Sequence, residues 1–96
     1  MKRVAFLPAA QADIHDIWYY TARQWSIHQA DHYIDDLLDT CQKLASGDRQ
    51  GRKAELRGAD LKYPIGSHMI YLRDLGDQIE IVRILHGSMD ASRHLN

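Results

Sequence analysis

Hydrophobic residues follow a helical period in the first half of the chain and a strand period in the second. From Pro8 to Trp25 the residues Ala10, Ile14, Ile17, Trp18, Thr21 and Trp25 recur at spacings of three and four, leaving Asp13, Asp16, Tyr20, Arg23 and Gln24 on other faces. This predicts an amphipathic helix, with Pro8 at its first position, where a missing N–H costs nothing. Lys2 to Leu7 is a short β-type run, so a strand leads directly into the helix. Ser26-Ile27-His28-Gln29 has the form of a capping box and starts a second helix, Ile27 to Ala45. Its stripe is Ala30, Tyr33, Ile34, Leu37, Leu38, Cys41, Leu44 and Ala45, and its other face carries Asp31, Asp35, Asp36 and Asp39. Ser46 ends it, with Gly47 placed for the left-handed position beyond. Joined by so short a turn, two helices of about 27 to 30 Å must form an antiparallel hairpin.

The hairpin needs a cover. Leu61 to Pro64, His68 to Arg73 and Gln78 to His86 read as three strands, the last two joined through Asp74-Leu75-Gly76-Asp77 as an antiparallel pair. In the last strand strict alternation puts Ile79, Ile81 and Leu85 on one face, with Arg83 in their register, and Val82 and Ile84 on the other. Both faces are apolar, as in an interior strand. Arg49 to Arg57 reads as a basic connector. The expected class is α+β, in the order β-α-α-β-β-β, with the helical hairpin packed on a small, mostly antiparallel sheet.

A length of 96 residues with 45% apolar side chains fits one domain, residues 1–96, and excludes a two-domain enzyme. The net charge of −1 excludes the strongly basic balance of a DNA-coating protein. The two halves differ, at −3 for residues 1–48 and +2 for residues 49–96, which places any anionic partner on the second half. A lone Cys41 argues for a reducing compartment, and the expected location is cytoplasmic. Met1 to Ala12 imitates a short signal peptide, but its apolar run is short and Pro8 interrupts it. No stretch approaches the roughly 20 apolar residues of a membrane span.

Candidate chemistry is sparse. His28 and His32 lie one helical turn apart, yet without a third ligand they read as a solvated pair and not as a metal site. Cys41, on an apolar stripe, reads as an inert buried thiol. Neither a phosphate loop nor a nucleophile elbow is present, and no cofactor is expected. The C-terminal third gathers Lys62, His68, Arg73, Arg83, His86, Arg93 and His94. Such a set could hold and cleave RNA, or it could be a protein-binding patch. Arg83 has a structural alternative, a pairing with Asp90 or a backbone carbonyl.

Three segments carry a family resemblance: Gly66-Ser67-His68-Met69-Ile70-Tyr71, Gln78-Ile79-Glu80-Ile81-Val82-Arg83-Ile84-Leu85-His86, and Met89-Asp90-Ala91-Ser92-Arg93-His94-Leu95. They resemble the C-terminal signature of ParE toxins in the RelE/ParE superfamily. Asp13, Ile17-Trp18 and the Trp25-Ser26 turn resemble its first helix. The resemblance implies the toxin of a bacterial type II toxin–antitoxin pair, associated with plasmid stabilisation, neutralised by a ParD-like antitoxin and acting on DNA gyrase without enzymatic activity. Membrane attachment and sequence-specific DNA binding by the toxin alone are not expected. Two alternatives remain, a RelE-type ribosome-dependent mRNA endonuclease and a non-toxic binding module. Nucleases of that branch carry an aromatic near the C-terminus, whereas the last aromatic here is Tyr71.

On this reading His86, Met89, Arg93 and His94 form the target surface, while Arg83 and Asp90 anchor the tail. Tyr19, Tyr20 and Tyr33, which cannot all point inward, meet the antitoxin together with Lys62 and Arg73. Because Arg83 and His86 are three residues apart on a strand, they are expected on opposite faces unless the strand ends or twists.

Overall fold

A computed structural model of the protein describes residues 2–87. Strand β1 (Arg3–Phe6) leads into α1 (Pro8–Gln24) and α2 (Ile27–Ser46), followed by β2 (Arg52–Leu56), β3 (Ala59–Ile65), β4 (His68–Asp74) and β5 (Gln78–His86). The local signals act as expected. Pro8 occupies the first turn of α1, Ser26 accepts from the Gln29 N–H at 3.0 Å, and Gly47 closes α2 at φ 90°. Trp18 Nε1 donates to Asp31 Oδ1 at 2.8 Å and ties the two helices together.

The five strands form one sheet in the order β1-β5-β4-β3-β2. β1 runs parallel to β5, and the other neighbours are antiparallel. The expected connector from Arg49 to Arg57 therefore contains a fourth strand after the helices. β2 escapes the alternation test because it is an edge strand, with Arg52 and Lys53 exposed and only Ala54 shown buried. Charged side chains there blunt an open edge that would otherwise invite pairing.

Both helices pack on one face of the sheet. Ala10 and Ile17 of α1 and Leu37, Cys41, Leu44 and Ala45 of α2 meet Ile70 and Leu72 of β4 and Ile79, Ile81 and Ile84 of β5. Burial pushes the Cys41 thiol up to about 12, consistent with an inert core residue. A second cluster, Ala54, Ala59, Tyr71, Val82 and Leu85, gathers on the other face with Leu7 and Met69.

The composition of these clusters corrects the expected faces of β5. Leu72 pairs with Ile81 but Tyr71 pairs with Arg83, so Val82 is an extra residue. Such a bulge shifts the alternation by one position. Ile84 consequently joins Ile79 and Ile81 under the helices, while Leu85 joins Val82. Trp25 is a second correction: it lies beyond the end of α1 and is 73% exposed, outside the apolar stripe expected to include it.

Candidate functional site

The outer edge of β5 is only half covered by β1. Their register ends at Phe6 opposite Ile81, and the Leu7 N–H still reaches the Ile81 carbonyl at 3.0 Å. Beyond that point the chain has turned into α1. Asp13 fills the vacant edge: its Oδ2 accepts the Ile84 backbone N–H at 2.9 Å and Arg83 Nε at 2.8 Å, and its Oδ1 accepts Arg83 Nη2 at 2.9 Å. Both side chains are mostly shielded from solvent. This bidentate pair holds the Arg83 proton even more firmly than usual. The helical pattern had put Asp13 on an outer face of α1, a placement the structure overturns. Asp13 stands three residues after Ala10 and four before Ile17, the two buried residues of α1, so the same period turns its carboxylate toward the sheet.

A second latch lies beside the first. The Tyr33 hydroxyl of α2 donates to the Ile65 carbonyl at 3.1 Å and lies 2.7 Å from His68 Nδ1. The hydroxyl has one proton and a carbonyl can only accept, so Nδ1–H of His68 is assigned as the donor to the Tyr33 oxygen. Nε2 of the neutral ring then remains an acceptor. Burial raises the Tyr33 pKa, against a smaller opposing effect from the Ser67 backbone. Desolvation, then the neighbouring His86, lowers that of His68, with Asp13 opposing. The two imidazoles stand edge to face, with centroids 5.4 Å apart.

Around these latches lies a cleft. One part, of about 400 Å³, runs from Tyr20 and Trp25 past Gln29 and His32 to Tyr33, His68 and His86. A neighbouring part is lined by Asp13, Ile17, Arg83 and the same two histidines. Arg83 and His86 therefore border one cleft although the ladder between them is regular: β5 ends at His86, and the Arg83 guanidinium reaches along the open strand edge to Asp13.

The other predicted residues are distributed elsewhere. Tyr20 belongs to this cleft, whereas Tyr19 lies in a groove between the helices with Ile14, Trp18 and Ile34. Tyr33 is half-buried and engaged with the β3–β4 turn. Lys62 stands opposite Tyr71 in the β3–β4 ladder, and Arg73 donates through Nε to Glu80 at 3.1 Å. Met89, Asp90, Arg93 and His94 lie outside the described residues. Arg83 has a partner on the described fold in Asp13 that the sequence reading did not select. Among the described residues there is no group of three or more His, Cys, Asp or Glu arranged to hold a metal, and no helix is long and apolar enough to cross a membrane.

Two hairpin helices on a five-stranded mixed sheet define a fold also found in a solved chain from the chromosomal ParDE toxin–antitoxin system of P. aeruginosa. The TM-score is 0.74 at 21% identity, covering 90% of this chain and 96% of that one. Residues 4–91 match the family described as the ParE toxin of type II toxin–antitoxin systems, parDE. Toxin ParE1 of Caulobacter vibrioides is 36% identical over 96 residues, with 99% of each chain covered. Toxin ParE1 of Mycobacterium tuberculosis is 37% identical, with 98% covered. The chain belongs to the ParE toxin family, and its class is the toxin of a type II toxin–antitoxin system.

Proposed function

We propose that this toxin acts by binding DNA gyrase, without catalysing a reaction of its own, and is silenced by a ParD-like antitoxin. The observation that carries the non-enzymatic reading is the state of Arg83. Cleavage of a phosphodiester needs a cation able to stabilise charge growing on phosphorus. Arg83 is the single Lys or Arg lining the cleft among the described residues, and Asp13 already takes two of its N–H groups. The antitoxin reading rests on the surface of the hairpin, where Tyr19 and Tyr20 are 52% and 66% exposed. An amphipathic segment lying across these rings is the kind of partner such a surface fits.

Purified toxin added to gyrase and supercoiled plasmid is expected to trap cleaved DNA and to lower supercoiling. Unchanged supercoiling, together with mRNA cut in a translating extract, would establish the nuclease instead. Tyr19→Ser with Tyr20→Ser is expected to weaken antitoxin binding, and unchanged affinity would remove the hairpin as docking face.

A further inference from the structure

The open mouth of the cleft, beside α1, is a pocket of about 340 Å³ lined by Asp16, Ile17, Tyr20, His68 and His86. Asp16 and Tyr20 are one turn apart on α1, so a carboxylate and an aromatic ring overlook the same opening. Ile17 gives it an apolar floor. Asp16 forms no hydrogen bond or ion pair among the described residues. His68 adds a second acceptor, since its Nδ1 proton is committed to Tyr33 and its Nε2 carries a lone pair.

Charge decides what such a pocket can take. Arg83 is offset by Asp13, and desolvation followed by the proximity of His86 disfavours a charged His68. Asp16 is then the one carboxylate among the described residues that line this pocket. A phosphate would meet this carboxylate, with the nearby guanidinium already engaged. A flat cation with several donors fits on every count. Its face stacks on Tyr20, its fork meets the Asp16 carboxylate, and its methylene stem lies along Ile17. An ammonium supplies the charge without the flat face or the fork.

We propose that this pocket is a receptor for an arginine side chain presented by a partner protein. The assignment goes beyond the gyrase and antitoxin reading and does not depend on it.

The test is a titration of the isotopically labelled full chain with N-acetylarginine amide, followed by NMR. The lysine and citrulline counterparts and adenosine monophosphate serve as comparisons. Saturable shifts are expected at Ile17, Tyr20, His68 and His86, with a dissociation constant on the order of millimolar for a single side chain. Citrulline, which keeps the shape and loses the charge, is expected to bind about tenfold more weakly, and so is the arginine probe to Asp16→Asn. Tyr20→Leu weakens it independently. Asp39→Asn, on α2 beside Lys43, leaves binding unchanged. Absence of saturation, equal binding of citrulline, indifference to Asp16→Asn, or preference for the nucleotide would each overturn the proposal. Because the probe is a free amino-acid derivative, these outcomes stay separate from any failure of gyrase poisoning.

Discussion

Replacing Asp13 by alanine removes three acceptor contacts at once: two to the Arg83 guanidinium and one to the Ile84 backbone N–H. The pair is shielded but not sealed, with side-chain exposures of 19% and 12%. Removing one partner of a fully buried ion pair costs about 3–5 kcal/mol, and residual solvent contact lowers the figure for Arg83. The Ile84 N–H, on an edge where β1 has already ended, adds about 1 kcal/mol when its acceptor is lost. The expected total for Asp13→Ala is about 2–4 kcal/mol, a large share of the roughly 5–15 kcal/mol that holds a small domain together.

Asp13→Asn keeps an acceptor for Ile84 and is expected to cost about 1–2 kcal/mol. Urea unfolding with a constant m-value reads both as shifts in midpoint. Arg83 is engaged beyond Asp13 as well, so Arg83→Ala alone does not measure the pair. A double-mutant cycle does, and a coupling of about 1 kcal/mol or more is expected. Coupling near zero, or an Asp13→Ala protein within about 0.5 kcal/mol of the parent, would refute the role of Asp13 as the stand-in for a missing strand.

Three further outcomes follow from the same geometry. Gly66 has φ +51°, and a Cβ there would meet the Tyr33 hydroxyl at 2.6 Å; Gly66→Ala is therefore expected to lower stability by about 1–3 kcal/mol in urea unfolding, with no change sinking the Tyr33 latch. Leu37 is fully buried between the helices and the sheet, and Leu37→Ala should cost about 2–5 kcal/mol by the same measurement, a loss under about 1 kcal/mol contradicting its central place. Burial, and then His86, depresses His68 below its ordinary value of 6.5. The unfolded chain thus binds a proton that the folded one refuses, so the His68 contribution is present above about pH 6.5 and is lost as pH falls through that value toward the folded pKa. His68→Asn, which retains a donor for Tyr33, should flatten the fall in urea midpoint between neutral and mildly acidic buffer, and an unchanged slope would place the titration elsewhere.

Local chemistry determined the boundaries of the helices. Pro8, Ser26 with Gln29, and Gly47 act within a turn of themselves, so their consequences are readable from neighbours in the chain. The stripe on α2 was equally legible, because Leu37, Cys41, Leu44 and Ala45 report one flat contact with the sheet. The three apolar strands could be identified from period and turns, but β2 could not, since an edge strand buries little and declares itself only by pairing with β3. Val82 marks the limit most clearly. Nothing in Ile81-Val82-Arg83-Ile84 separates a bulge from regular alternation; the register set jointly by β4 and β5 creates it and carries Ile84 to the helix side. The candidate site belongs to the same category. Asp13 and Arg83 are 70 residues apart in the chain, and Tyr33 and His68 are 35 apart. The first pair exists because α1 crosses the part of β5 where β1 has stopped, the second because α2 passes the turn between β3 and β4. A period along the chain encodes which face of an element is apolar, whereas contacts between the ends of distant elements depend on tilt, bulge and strand order, which only the assembled sheet defines.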